Sequence, residues 1–305
     1  MPAITPDRRA GPHSGEPSFV AHMGVLSGAH RPNTFAAIRE CFELGVGRIE
    51  IDVHSLAGGD FIVTHDRRLE QETSGRGPVG RATPDEVRAA RFLYDAGDRP
   101  PLLSEVAAMA AGCETELQLD LKDWRPLTPD RIEALLRAVG PVHERVIVSS
   151  GQDWNLRRLH AAAPSLAVGF DPGLYVDVLP PGEPAFLPRT EGAYGYRDDH
   201  PLALGRTLET ASYLRERMDA LATQAPAARE WFLRYGLVLR MLDDGFDVAA
   251  WLADRGISAN VWTLDYGGEA SMRAFERLAS AGVARVTTNT TPAWTRALSA
   301  SQASP

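Results

Sequence analysis

The chain has 305 residues, 44% of them hydrophobic and 24% charged, a length that fits one large barrel or two ordinary domains. Its formal net charge of −8 argues against a nucleic-acid partner, because phosphate backbones are bound by basic surfaces. The two cysteines, Cys41 and Cys113, form neither a disulfide framework nor a metal-ligand spacing.

The two ends of the chain lack the pattern of a folded element. Residues 1–17 are rich in Pro, Gly and Arg, which predicts a disordered arm and no signal peptide, and residues 299–305 predict a disordered tail. No stretch between them reaches the ~18 consecutive apolar residues of a membrane span. We therefore expect one cytoplasmic domain over residues 18–298, with no stable membrane association.

Strand-like and helical patterns alternate along this domain. The predicted strands are 18–22, 48–54, 61–65, 116–121, 145–149, 166–170, 257–264 and 285–288. The predicted helices are 33–44, 83–92, 103–111, 130–139, 153–162, 246–254 and 269–281. Repeated β-α units of this kind predict an α/β fold, a (β/α)8 TIM-type barrel, distorted by a β-hairpin after the second strand. Such a barrel carries its active site at the C-terminal ends of the strands.

Residues 171–245 fit this alternation less well. Residues 171–200 form a Pro/Gly-rich loop that is long enough to be a lid or a cap. Residues 202–224 have a strongly helical pattern. Residues 230–241 fit either a strand, with 236–240 as its best stretch, or a helix, because the periodicity does not decide between them.

The second predicted strand carries three ionisable side chains on one face. A period of two places Glu50, Asp52 and His54 together, opposite apolar residues. Burying them requires a partner, and a hard divalent cation is the simplest partner for two carboxylates spaced i, i+2. The next strand ends in His65 and Asp66, which suit proton transfer beside such a metal. The alternative is a solvent-facing strand edge.

One lysine stands out among the 32 basic residues, because the other 31 are arginine. Lys122 lies in an alternating strand that places Gln118 and Asp120 on the same face. A carboxylate and a compact ammonium that point the same way would make a second wall of a metal and phosphate site. The alternative is that one lysine has survived by chance.

These motifs, in this order, resemble the glycerophosphodiester phosphodiesterase family over most of the chain. The matching segments are His22-Met23-Gly24, Arg31-Pro32-Asn33-Thr34, Glu50-Ile51-Asp52-Val53, His65-Asp66, Thr73 to Val79, Asp120-Leu121-Lys122 and Trp262-Thr263-Leu264-Asp265. The resemblance implies a distorted (β/α)8 barrel with a bound Mg²⁺ or Ca²⁺. It also implies hydrolysis of glycerophosphodiesters to an alcohol and glycerol 3-phosphate.

The resemblance further implies a role for each matched side chain. His22 and His65 would be the general acid and base. The implied metal ligands are Glu50, Asp52 and Asp120. Lys122 would contact a phosphate oxygen, and Trp262, at a strand end, would stack on the glycerol or the head group.

The chain departs from the family pattern near the expected substrate position. The departures are Met23 for arginine, Pro32 and Asp120 for glutamate, Gln71 for arginine and Asn289 for aspartate. Met23 removes an expected bidentate phosphate contact, which Arg31 would replace. We interpret the set as retained phosphodiester chemistry with altered head-group or phosphate recognition.

Two other functions remain open from the sequence. The first is a phospholipase D-like or cyclising phosphodiesterase on the same barrel, with residues 174–187 as an exposed apolar rim for lipid. The second is a non-catalytic descendant that binds phosphate or metal, which Met23 and Pro32 would favour. All of these functions imply a small-molecule phosphate partner.

Overall fold

A computed structural model describes residues 16–178, Tyr196 and residues 208–302. Nine strands form one sheet in the described part. They are β1 (Ser18–Ala21), β2 (Arg48–Ser55), β3 (Phe61–Val63), β4 (Glu116–Leu121), β5 (Val146–Ser150), β6 (Ala167–Phe170), β7 (Ala228–Arg234), β8 (Ser258–Trp262) and β9 (Arg285–Thr288). Lid or cap predictions for residues 179–195 and 197–207 lie outside the described residues.

The sheet closes into a barrel. Its strand order is β1-β9-β8-β7-β6-β5-β4-β2-β3, and β1 also pairs with β2. Eight of the strands are parallel, and β3 forms an antiparallel hairpin with β2, Val53 facing Val63. The register shifts on β6 between Val168 and Gly169. The predicted distorted (β/α)8 barrel with its hairpin is therefore confirmed.

Helices follow most of the strands. They are α1 (Phe35–Glu43), α2 (Pro84–Ala89), α3 (Leu103–Ala110), α4 (Pro129–Val139), α5 (Asp153–Ala162), α6 (Thr210–Ala222), α7 (Tyr235–Asp243), α8 (Val248–Ala253), α9 (Glu269–Ser280) and α10 (Thr291–Gln302). Capping side chains fix where several of these helices begin. The Thr34 hydroxyl accepts a hydrogen bond from the amide of Ala37 at 3.2 Å, and Thr83 and Glu86 form a reciprocal capping box at α2.

The apolar core lies between the barrel and its helices. Ile49, Ile51 and Val53 of β2 are fully buried in a cluster that includes side chains of α1, α3 and α4. Burying one such side chain stabilises the fold by about 1.5–3 kcal/mol. Because strand side chains alternate, this packing turns Glu50 and Asp52 toward the barrel interior.

A buried polar layer fills the N-terminal end of the barrel. Arg48 donates to Glu230 at 2.6 Å and to Glu116 at 2.8 Å. Asn260 and Arg285 also donate to Glu230, at 2.5 and 3.3 Å. Arg48, Glu116 and Arg285 are the first residues of their strands. The layer therefore lies at the end of the barrel opposite the candidate site.

The structure decides one segment that the sequence left open and corrects a second. Residues 236–240 belong to helix α7, because Leu237, Val238 and Met241 are buried at helical spacing, and the strand ends earlier at Arg234. The tail prediction fails for residues 299–302, which continue α10. Residues 1–15 and 303–305 lie outside the described residues.

Helix α10 is held to the barrel by Trp294. Its ring is fully buried and lies 5.7 Å from the ring of Phe19 and 5.0 Å from that of Phe275, between ring centroids. Its Nε1 donates to the carbonyl of Leu264 at 3.0 Å. One buried tryptophan thus orders a helix whose last turns are small and polar, which explains why composition alone predicted disorder. Within the described ranges, no helix is long and apolar enough to cross a membrane.

Candidate active site

A cavity of about 350 Å³ opens at the C-terminal ends of the strands. Its lining residues are His22, Met23, Glu50, His65, Gln118, Asp120, Lys122, Ser149, Asp171, Phe232, Trp262, Thr263 and Thr287. Of the eight side chains predicted for the site, six line this cavity, Asp52 lies buried beside it, and Arg31 lies outside it. The position agrees with where barrels of this type carry their sites.

Three carboxylates meet in this cavity. Glu50, Asp52 and Asp120 each offer an oxygen within 4.8 Å of the others. Asp52 and Asp120 are direct partners across the β2–β4 pairing, which brings them together. Lys122 Nζ lies 2.9 Å from Asp52 Oδ1 and 2.6 Å from Asp120 Oδ2. The sequence placed these four side chains on two strands, and the structure brings them together.

The charges in this cluster are not balanced within the protein. Burial, together with Asp52 and Asp120, raises the pKa of Glu50 well above its usual range. Burial also opposes the charged forms of Asp52 and Lys122, but charge attraction outweighs it. Lys122 lowers the pKa of Asp52, and Asp120 together with Asp52 raises the pKa of Lys122. Three carboxylates beside one ammonium leave negative charge in excess. This hard-oxygen donor set therefore fits a divalent cation such as Mg²⁺ or Ca²⁺.

The loop between β1 and α1 orients two of these carboxylates. The amide of Met23 donates to Glu50 Oε2 at 2.9 Å, and Asn33 Nδ2 donates to Asp52 Oδ2 at 2.8 Å. Met23 and Asn33 both have positive φ, 50° and 57°, a conformation that asparagine tolerates better than most residues. In the sequence, Asn33 stands out only as part of a motif. Its contact with Asp52 depends on this backbone turn.

His22 is held by a chain of hydrogen bonds. It directly follows β1, and its Nδ1 lies 2.9 Å from Asn289 Oδ1. Asn289 in turn donates from Nδ2 to Asp265 Oδ2 at 3.0 Å. Because the Asn289 amide nitrogen faces a carboxylate, its oxygen must accept from His22. A proton therefore lies on Nδ1, and Nε2 faces Glu50 Oε2 at 3.8 Å.

Neither Asn289 nor Asp265 has a role that the sequence patterns predicted. Asn289 entered only as a departure from the family pattern, and Asp265 only as the last residue of a motif. Both lie just beyond the ends of β9 and β8, which are neighbours in the barrel. Their position after strand ends was the signal that would have identified them.

His65 lies in the loop after β3, with 54% of its side chain exposed. Its Nδ1 is 3.5 Å from Asp66 Oδ1, and its carbonyl is 3.2 Å from His54 Nε2. Burial lowers the pKa of His54, which keeps that ring neutral. His54 thus supports the backbone that presents His65.

Of the two remaining predicted site residues, Trp262 lies at the cavity and Arg31 does not. Trp262, the final residue of β8, lines the cavity as expected. The guanidinium of Arg31 instead lies 4.3 Å from the centre of the Tyr94 ring, outside the cavity lining. The replacement of the missing phosphate contact by Arg31 therefore stays a prediction.

The structure defines the class of this protein as a closed (β/α)8 barrel. Its mouth brings together a lysine, two histidines and a carboxylate cluster that could hold a metal ion. Residues 24–172 match the model of the glycerophosphoryl diester phosphodiesterase family. The match covers just under half of the chain, which is similar to this family over that stretch.

A curated relative shows the same likeness. The chain is 32% identical over 157 residues to the glycerophosphodiester phosphodiesterase of Caldanaerobacter subterraneus subsp. tengcongensis, an alignment that covers 49% of this chain and 64% of that protein. The chain thus spans less than two thirds of the length of this curated relative.

Two solved structures have a similar fold. An Oleispira antarctica phosphodiesterase, solved in complex with the product sn-glycerol-3-phosphate, gives a TM-score of 0.61 at 18% identity over 90% of this chain and 93% of that one. The glycerophosphodiester phosphodiesterase of Thermotoga maritima gives 0.62 at 16% identity over 93% and 99%.

Proposed function

We propose that the protein hydrolyses glycerophosphodiesters to an alcohol and glycerol 3-phosphate with the help of a bound divalent cation. The observation that carries this proposal is the meeting of Glu50, Asp52, Asp120 and Lys122 with His22 and His65 at one barrel mouth. The family match, the curated relative and the neighbour solved with sn-glycerol-3-phosphate support it.

The phosphate end of the site comes from β2 and β4. Glu50, Asp52 and Asp120 would hold Mg²⁺ or Ca²⁺, which when bound neutralises charge on the non-bridging phosphate oxygens. Lys122 adds a compact positive charge on the same side and donates to a phosphate oxygen. Asn33 and the Met23 amide keep Asp52 and Glu50 oriented while substrate enters.

Proton transfer falls to the two histidines. His22 donates from Nδ1 to Asn289, which leaves Nε2 to accept the proton of the attacking water. His65 donates a proton to the leaving alkoxide. Each transfer by a positioned side chain contributes about 10²–10⁴-fold to the rate.

The test of this function is release of glycerol 3-phosphate from a panel of glycerophosphodiesters. We expect turnover with Mg²⁺ or Ca²⁺, and its loss in EDTA, restored when the cation is added back. Asp120→Asn should weaken metal affinity, since it removes a charged oxygen ligand, and should raise the metal concentration needed for half-maximal activity. Turnover that is equal in EDTA and in Mg²⁺ would contradict the metal assignment.

Replacing Asn289 tests how His22 is held. We expect Asn289→Ala to lower kcat by about 10–100-fold with little change in KM, by comparison with outer-shell partners of metal-bound histidines. Asn289→Asp, which keeps an acceptor for His22 Nδ1, should recover part of the loss. Steady-state kinetics of the three proteins give the answer, and an unchanged kcat in Asn289→Ala would show that His22 needs no such partner.

The two other functions predicted from the sequence gain little from the described residues. The rim expected for a lipid substrate begins with Tyr175, which donates to Asp153, and Val176, which is fully buried. Neither is an exposed apolar side chain, and Phe186 lies outside the described residues. The non-catalytic alternative predicts binding without turnover, which the same assay measures.

A further inference from the structure

The carboxylate cluster lies on two neighbouring strands that are in register. Glu50 on β2 is the direct partner of Gln118 on β4, and Asp52 is the direct partner of Asp120. Paired strands lie only about 4.8 Å apart, and residues two apart on a strand share one face. The four residues therefore mark the corners of one patch on the inner wall of the barrel. Three corners carry the carboxylates that could hold a cation, and the fourth is Gln118.

The side chain of Gln118 is held with its amide oxygen unused. Gln118 is 5% exposed and lines the cavity. Its Nε2 donates to Ser149 Oγ at 3.4 Å, and Ser149 Oγ donates to the carbonyl of Leu119 at 3.4 Å. Because a serine hydroxyl has one proton to donate, Ser149 can only accept from Gln118, which fixes the amide nitrogen at that side. Among the residues that the structure describes, the buried Oε1 has no hydrogen-bond partner.

An unpartnered oxygen at this corner has the right chemistry for a cation. A buried acceptor without a partner is unfavourable, so such an atom beside a carboxylate cluster indicates a ligand contact. Amide carbonyls are ordinary ligands of Ca²⁺, which takes about six to eight oxygens. Three ionised carboxylates and Lys122 sum to −2, the charge that a divalent cation neutralises. An amide oxygen adds a ligand without disturbing this balance, whereas a fourth carboxylate leaves an excess of −1.

We propose that Gln118 is a fourth protein ligand of the cation and binds it through Oε1, together with Glu50, Asp52 and Asp120. Gln118 precedes Asp120 on β4, so it approaches the cation from the barrel interior and leaves the mouth side to a phosphate oxygen. This inference rests on the proposed function, because it adds a ligand to the cation of that same site.

The test is calorimetric titration of the metal-free full chain with Ca²⁺ at pH 8, without substrate. Gln118→Met keeps the approximate length of the side chain and removes the oxygen. We expect it to raise the Kd for Ca²⁺ about 10–100-fold, the range found when a supporting partner of a metal site is removed. Gln118→Glu returns an oxygen to the same corner and should bind Ca²⁺ at least as tightly as wild type.

Gln152→Met is the matched control. Gln152 is also 5% exposed, but its Oε1 already accepts from Ser150 Oγ at 2.9 Å, and it lies outside the cavity lining. This variant should keep the wild-type Kd. Thermal unfolding in EDTA shows whether each variant is folded, and Gln118→Leu replaces Gln118→Met, with the same expectation, if the methionine variant does not fold.

The outcomes separate this inference from the proposed function. A wild-type Kd in Gln118→Met, or an equal loss of affinity in Gln118→Met and Gln118→Glu, overturns the fourth ligand and leaves hydrolysis standing. Wild type that binds Ca²⁺ without releasing glycerol 3-phosphate overturns hydrolysis alone, and the dissociation constants of the variants still decide the role of Gln118. Wild type that binds no Ca²⁺ overturns the fourth ligand, and glycerol 3-phosphate release then shows whether hydrolysis proceeds without it.

Discussion

Replacing His65 with alanine is expected to lower kcat/KM for glycerophosphodiesters by about 10²–10⁴-fold, the contribution of one positioned acid or base. The side chain lines the cavity with its ring half exposed, so its removal opens no hole in the core. The backbone at this position is anchored by His54 through the carbonyl of His65. The loss should therefore come from the missing proton transfer, which glycerol 3-phosphate release at saturating metal measures.

His143→Ala is the matched control for this variant. His143 lies just before β5, at the N-terminal end of the barrel and away from the cavity, where it contacts Ser165. It should keep wild-type kinetics. Turnover retained in His65→Ala would remove His65 from the mechanism. Wild type that binds metal and diester yet shows no turnover would instead favour the non-catalytic alternative.

Glu230→Ala is expected to destabilise the fold by about 3–5 kcal/mol, the cost of breaking a buried ion pair by removing one partner. Glu230 is 9% exposed and accepts from Arg48, Asn260 and Arg285. Its loss leaves the Arg48 guanidinium, itself 5% exposed, with a single carboxylate partner, Glu116. Guanidinium chloride unfolding, followed by circular dichroism, measures the change.

Glu269→Ala provides the comparison, since the carboxylate of Glu269 is exposed on α9 and pairs with Arg273. Exposed pairs of this kind contribute little to stability. Equal losses in the two variants would contradict the importance of the buried layer.

The same layer predicts a pH dependence. Burial raises the pKa of Glu230, but hydrogen bonds and charge attraction from Arg48 outweigh it and lower the pKa below its ordinary 4.5. A group with a lowered folded-state pKa stabilises the fold above its unfolded-state value and loses that contribution as the pH falls. Wild type should therefore lose stability below about pH 4.5. Glu230→Gln should lose less over the same range.

Much of the barrel follows from patterns that are local in the sequence. The alternation on β2 and β4 predicted both the strands and the inward-facing side chains, because a period of two leaves only two faces to choose from. The stretch at 236–240 stayed open between strand and helix, because a short apolar run fits a strand and a buried helix equally well, and the structure shows a helix. The prediction of a disordered tail failed for residues 299–302 because Trp294, earlier in the same helix, packs α10 against Phe19 and Phe275, which are distant in sequence.

In the candidate site, too, local patterns predicted one part and contacts between distant residues decided the other. The sequence by itself determined the barrel and predicted the side chains of the candidate site, since these depend on periodicity and on ordered motifs. Only the tertiary structure decided that Asn289 and Asp265 hold His22 and that Arg31 stacks on Tyr94. Each of these contacts joins residues from different β-α units, and closure of the barrel sets their distances, which no local pattern encodes.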